Sequence, residues 1–220
     1  MKHRSLSLLA RTVCAAFVIL IFNLNGFAAI RYVTPTGAGN QTGDSWLNAS
    51  PNLQEMIDGS DAGDQVWVKE GTYKPTDTVI GSSTRDKTFL LRAQVKVYGG
   101  FAGTEPGNAT GLAMRKPGHN GDAHNPTILS GDLNGDDTAN FGNRSDNVYH
   151  VVLANDGYCP PECEDCVFAC TYQETDDSTL LDGFIIKGGS ATGTGGVTLS
   201  EFEGPSDRFG GGFFQCREVQ

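Results

Sequence analysis

Apolar residues in this chain fall in short clusters separated by long polar, glycine-rich stretches, and two segments depart from that pattern. Residues 12–24 (TVCAAFVILIFNL) form one continuous apolar run. Residues 50–59 carry Leu53, Met56 and Ile57 at i, i+3, i+4, the period of an amphipathic helix. Ser50 suits its N-cap, Pro51 its first helical position and Gly59 its end. Beyond Asp64 the pattern predicts strands. Val66–Val68, Phe89–Leu91, Val95–Tyr98, Thr127–Leu129, Val148–Leu153 and Phe184–Ile186 are β-branched or aromatic runs bounded by Gly, Asp, Asn or Pro. Gly99-Gly100, Ser130-Gly131-Asp132 and Gly188-Gly189 read as stops.

Two-residue Asn-Gly or Asp-Gly hairpin turns are mostly missing between neighbouring runs; Asn120-Gly121 and Asn134-Gly135 sit inside longer polar loops. The runs recur every ~20–35 residues, a spacing suited to coils of a solenoid with loops of varying length. The expected architecture is all-β, a parallel β-helix, with an antiparallel sandwich as the alternative.

Composition sharpens this. The 220 residues include 29 glycines without a G-X-Y period, which excludes collagen and favours many sharp turns. A net charge of −10 excludes the basic surface of a nucleic-acid-binding protein. Lys2, Arg4 and Arg11 flank the apolar run, and Gly26-Phe27-Ala28 supplies small residues for cleavage, so residues 1–28 read as a secretory signal peptide. The run is short for a membrane span, which needs about 20 residues, and no other is long enough, so no transmembrane helix is expected in the mature chain. Removing the segment leaves 13 basic against 26 acidic side chains, a net charge of −13, in a disulfide-permissive space.

Specific strings carry a family resemblance. They are Ile30-Arg31-Tyr32-Val33, Gly43-Asp44-Ser45-Trp46, Gly63 through Tyr73 (GDQVWVKEGTY), Val97 through Glu105 (VYGGFAGTE), Pro126 through Asp132 (PTILSGD), Asn147 through Val152 (NVYHVV) and Leu181 through Gly189 (LDGFIIKGG). In this order the chain resembles the N-terminal part of bacterial right-handed parallel β-helix proteins of the pectin-lyase-like superfamily, similar to polymorphic outer membrane proteins. The resemblance implies a right-handed solenoid, with Trp46 and the helix at 50–59 capping its first coil. It implies a corner where Gly71-Thr72-Tyr73 ends a strand, and another at Asp182-Gly183 where the carboxylate bonds nearby backbone N–H groups. Gly210-Gly211-Gly212-Phe213-Phe214 looks like the opening of further coils, so the chain reads as the start of something longer, truncated at its C-terminus. The implied role is a secreted or outer-membrane, cell-surface protein, adhesin-like or carbohydrate-binding, with no catalytic site evident. The alternative is a polysaccharide lyase or glycoside hydrolase of the same fold. A cluster of three or more Asp/Glu with a nearby Arg or Lys on one face would favour it.

Candidate chemistry is sparse. Asp132, Asn134, Asp136 and Asp137 place oxygens in the spacing that opens a calcium loop, so calcium is the one cofactor expected. The Gly and Glu that an EF-hand needs at positions 6 and 12 are Asp137 and Asn143, and a solvated Asx-rich loop is the competing account. Cys159, Cys163, Cys166 and Cys170 lie in a Cys-rich insertion at 155–178 and read as two local disulfides of open connectivity, with zinc or free thiols as alternatives. Cys216 is left over. His119 and His124 show no metal spacing, and His150 alternates with Val148 and Val152 as a structural side chain. No G-x-S-x-G elbow, P-loop or H-E-x-x-H is present. Sequons at Asn40, Asn48, Asn108 and Asn143 carry little weight given the bacterial source that the resemblance implies.

Overall fold

The computed structural model describes residues 28–78, 82–118, 124–154 and 178–192, and the backbone of strands at 196–199, 202–206 and 213–215. Residues 1–27, which hold nearly all of the expected signal segment, His119, the four clustered cysteines and Cys216 lie outside the described residues. The fold is all-β, made mostly of parallel strands with few helices.

Three parallel sheets organise it. The first holds β1 (Ile30–Val33), β2 (Gln65–Lys69), β5 (Lys96–Phe101) and β8 (Leu180–Asp182) in that order. The second holds β3 (Gly71–Tyr73), β6 (Thr127–Ser130) and β9 (Phe184–Lys187). The third holds β4 (Phe89–Leu91), β7 (Val152–Ala154) and β12 (Phe213–Gln215). From β2 the chain visits first, second and third sheet in turn, three times over. The antiparallel pair β10 (Gly196–Leu199) and β11 (Phe202–Ser206) interrupts only the last round. Register aligns like with like: Tyr73, Leu129 and Ile186 share one row, and Val66 pairs with Val97, which pairs with Leu181.

Strand alternation divides the first sheet into two faces. Val33, Val66, Val68 and Val97 enter the main core with Leu129, Val148, Val151 and Val152. Tyr32, Trp67 and Tyr98, one position away, form a second cluster with Phe101. Trp67 stacks on Phe101 at 4.6 Å, and Trp46 meets Tyr32 edge-on at 4.8 Å. Trp46 therefore covers the face opposite the main core and does not share the helix's place.

The helix, α1 (Leu53–Asp58), does close the core. Leu53, Met56 and Ile57 are buried against β1, β2 and β4. Its Gln54 amide donates to Leu90 O (3.1 Å) and accepts from Leu90 N (2.9 Å), occupying the open edge of β4 as another strand would. Arg31 and Arg92 donate to the carbonyls of Gly59 and Asp58, placing two cations at the helix C-terminus. The N-cap is Asn52, whose side chain accepts from Glu55 N, and not Ser50. Ser50 is held extended by a parallel bridge to Val33, so the chain cannot turn until two residues later.

Three strand expectations change. Gly99 and Gly100 do not stop β5 but lie within it: a Cβ on Gly99 would stand 2.6 Å from Gly183 O. Gly71–Tyr73 is a strand of its own, with the bend before it, at Glu70. Of Val148–Leu153, only its last two residues join β7. Val148 N donates to Gly131 O and Tyr149 N to Arg85 O, so the earlier residues serve different neighbours and no single ladder. A second short helix, α2 (Ala109–Met114), capped by Asn108, had no periodic signal.

Candidate functional site

The loop after β6 is built around one carboxylate. Asp132 Oδ1 accepts from Gly135 N (2.6 Å) and Asp136 N (3.2 Å), and Oδ2 accepts from Asp137 N (3.2 Å). This is an Asx-type turn extended over three donors, with Gly135 at φ +76° making the reversal. Asp146 Oδ2 accepts from Asn134 N at 2.8 Å and ties the loop's far limb to its start. Lys74 reaches in from the second sheet, its ammonium donating to Leu133 O at 3.0 Å.

Burial alone would raise the Asp132 carboxyl. The N–H groups of Asp137, Gly135 and Asp136, with the charge of Lys74, outweigh it and hold the group below its ordinary value of 3.8. Asp132 is therefore an anion at neutral pH, engaged by backbone donors.

The carboxylates of Asp132, Asp136 and Asp146 converge, one oxygen of each lying within 4.8 Å of the other two. Two of these, Asp132 and Asp136, belong to the set expected to bind calcium. Asp137 instead accepts from Asn147 Nδ2 at 3.1 Å, and Asn134 offers Asp146 its backbone N–H. Asp146 was missed because it lies in a separate string, Ser145-Asp146-Asn147, after the intervening loop. The donor set is all oxygen, the chemistry that hard divalent cations take.

A second polar cluster sits on the outer face of the first sheet. Register places Asp182 beside Tyr98, and Arg115 lies over the Tyr98 ring at 4.9 Å while pairing with the Asp182 carboxylate. The Asp182 carboxylate thus bonds a guanidinium, not the backbone N–H groups expected, although Gly183 at φ +85° does form the corner. Basic partners for Asp132 and Asp182, which sequence reasoning had not assigned, are Lys74 and Arg115. His150 is buried, and it lies before β7 and not within a strand. His124 is exposed.

No protein-family model, curated protein or solved structure matches the chain. Among the described residues, no helix is long and apolar enough to cross a membrane.

Proposed function

We propose that this chain is an exported, cell-surface right-handed parallel β-helix protein that binds carbohydrate, in the manner of an adhesin. The supporting observation is the cyclic passage of the chain through three parallel sheets with like residues in register. Parallel crossovers are right-handed in about 98% of cases, which supplies the hand. A closed coil of short strands leaves its loops as the recognition surface, and the loop at 130–147 is held by hydrogen bonds of its own. Calcium on Asp132, Asp136 and Asp146 would rigidify that loop and relieve its charge crowding. A net charge of −13 after removal of residues 1–28 favours neutral glycans over polyanions.

One observation favours the alternative, a polysaccharide lyase or glycoside hydrolase: three carboxylates converge with Lys74 nearby. Against it, the backbone N–H groups of Gly135, Asp136 and Asp137 hold the Asp132 carboxyl below its ordinary value, away from the near-neutral range that suits a general acid or base. The test exposes the purified chain to a glycan array and, separately, to polygalacturonate and neutral polysaccharides. Binding without turnover is expected; new absorbance from unsaturated ends, or new reducing sugar, establishes the enzymatic alternative.

A further inference from the structure

Residues 138–144, beside the acidic cluster, hold an unusual backbone. Asn140, Phe141 and Asn143 all lie in the left-handed region, at φ of +63°, +63° and +61°. Asparagine tolerates that region; for a bulky ring it is an outlier that persists only where the surroundings impose it. They do so here. Thr138 N donates to Gly142 O (3.1 Å), Asn143 Nδ2 to Asp136 O (3.1 Å) and Arg144 Nη2 to Gly189 O (2.8 Å).

The strain buries nothing. Phe141 is 81% exposed, so no core contact offsets the backbone cost. A lone exposed ring is ordinary on a protein surface; a left-handed backbone that presents it is not. The Arg144 guanidinium lies 5.1 Å from the ring centroid and backs the ring, itself anchored through Gly189.

We propose that Phe141 is the aromatic platform of a glycan site, taking the C–H face of a neutral hexose on its ring. Exposed Asn140, Asn143 and Asp136 flank it and offer partners to hydroxyl groups. The chemistry selects this ligand. The positively polarised C–H face of a sugar complements the negative face of the ring. A cationic ligand would meet Arg144 already on that ring, and an anionic polymer or lipid surface would meet Asp136 and Asp146. An apolar peptide would need more apolar surface, and Phe141 is the one exposed large hydrophobic side chain within residues 130–147.

The proposal rests on the carbohydrate-binding reading, and its test separates the two. The full chain and its Phe141→Gly and Phe141→Tyr variants are titrated calorimetrically with cellohexaose, xylohexaose, chitohexaose and mannohexaose, with a thermal melt on each protein. Phe141→Gly should weaken binding by about tenfold or more, and Phe141→Tyr should stay within about threefold of the parent. Glycine adopts positive φ freely, so the Phe141→Gly melting temperature should hold or rise. Unchanged affinity in Phe141→Gly overturns the platform and leaves carbohydrate binding standing. A lowered melting temperature in that variant makes the ring structural and also overturns it. A parent chain that binds none of the four overturns both.

Discussion

Replacing Asp146 by Asn tests the charge crowding of the acidic loop directly. Three carboxylates with one oxygen of each no more than 4.8 Å from the other two make three repulsive pairs, and removing one charge removes two of them. Each pair is worth about 0.9 kcal/mol even in bulk water, so the change relieves about 2 kcal/mol at low salt. Screening over a Debye length of about 8 Å at physiological ionic strength halves that. Asn keeps an oxygen to accept the Asn134 N–H now bonded at 2.8 Å, and loses only the charge assistance, about 0.5–1 kcal/mol. Lys74 already offsets part of the repulsion. The net expectation is a variant about 1 kcal/mol more stable than the parent at low salt and nearly equal to it in ~0.5 M salt, a shift of about 2–4 °C. Calcium should stabilise the parent, by about 2.7 kcal/mol at a hundredfold excess over its Kd and with a raised melting temperature, and should do much less for the variant. Thermal melts across a salt series, with calcium or with chelator, read both effects. A parent and variant with identical salt dependence would refute the crowding. Identical parent melts in calcium and chelator would refute the cation.

Glu105 is buried, and its carboxylate accepts from the N–H groups of Ala102 (2.7 Å), Gly103 (2.9 Å) and Thr104 (2.9 Å). Glu105→Gln turns one acceptor into a donor facing those groups and should cost about 2–4 kcal/mol by urea denaturation; a loss under ~1 kcal/mol would remove this nest from the account. Gly99→Ala places a Cβ 2.6 Å from Gly183 O, against the neighbouring backbone, so it should cost about 1–3 kcal/mol, and an unchanged urea midpoint would contradict the packing. Acid stability follows from Asp132. Its folded value lies below the ordinary 3.8, so its contribution is complete above that pH and is lost as the pH falls through the lowered value. Asp132→Asn should therefore be less stable than the parent at neutral pH and should narrow that gap below about pH 4; a gap that stays constant from pH 7 to 3 would count against the carboxylate's role.

What was legible of the fold was what local alternation encodes. Val66–Val68, Phe89–Leu91, Thr127–Leu129 and Phe184–Ile186 all lie in strands because each buries alternate side chains against the same core. The errors arose where a distant backbone decided the matter. Gly99 and Gly100 look like punctuation in sequence, yet the strand continues through them, and each is glycine because a distant backbone, Gly183 at the first and Pro117 at the second, approaches too closely for a side chain. Val148 through Val151 have strand composition, but Gly131, Arg85 and Ser190 claim their backbone groups from three directions. Ser50 has the chemistry of an N-cap and is instead held in the bridge to Val33.

The candidate sites were legible only where their members are neighbours in sequence. The Asx turn within 132–137 forms from its own donors, so its spacing was sufficient warning. Asp146 and Lys74 enter through tertiary placement, and Arg115 reaches Asp182 across 67 residues because register sets Asp182 beside Tyr98. Those partners also bear on the choice between binding and catalysis. A general acid or base works best with a pKa near the operating pH, whereas the backbone N–H groups around Asp132 hold its carboxyl below the ordinary value. Exposed beside it are the Asn140 and Asn143 amides, the Asp136 and Asp137 carboxylates and the Phe141 ring. Such groups offer a hydroxylated ligand hydrogen-bond partners and a stacking face.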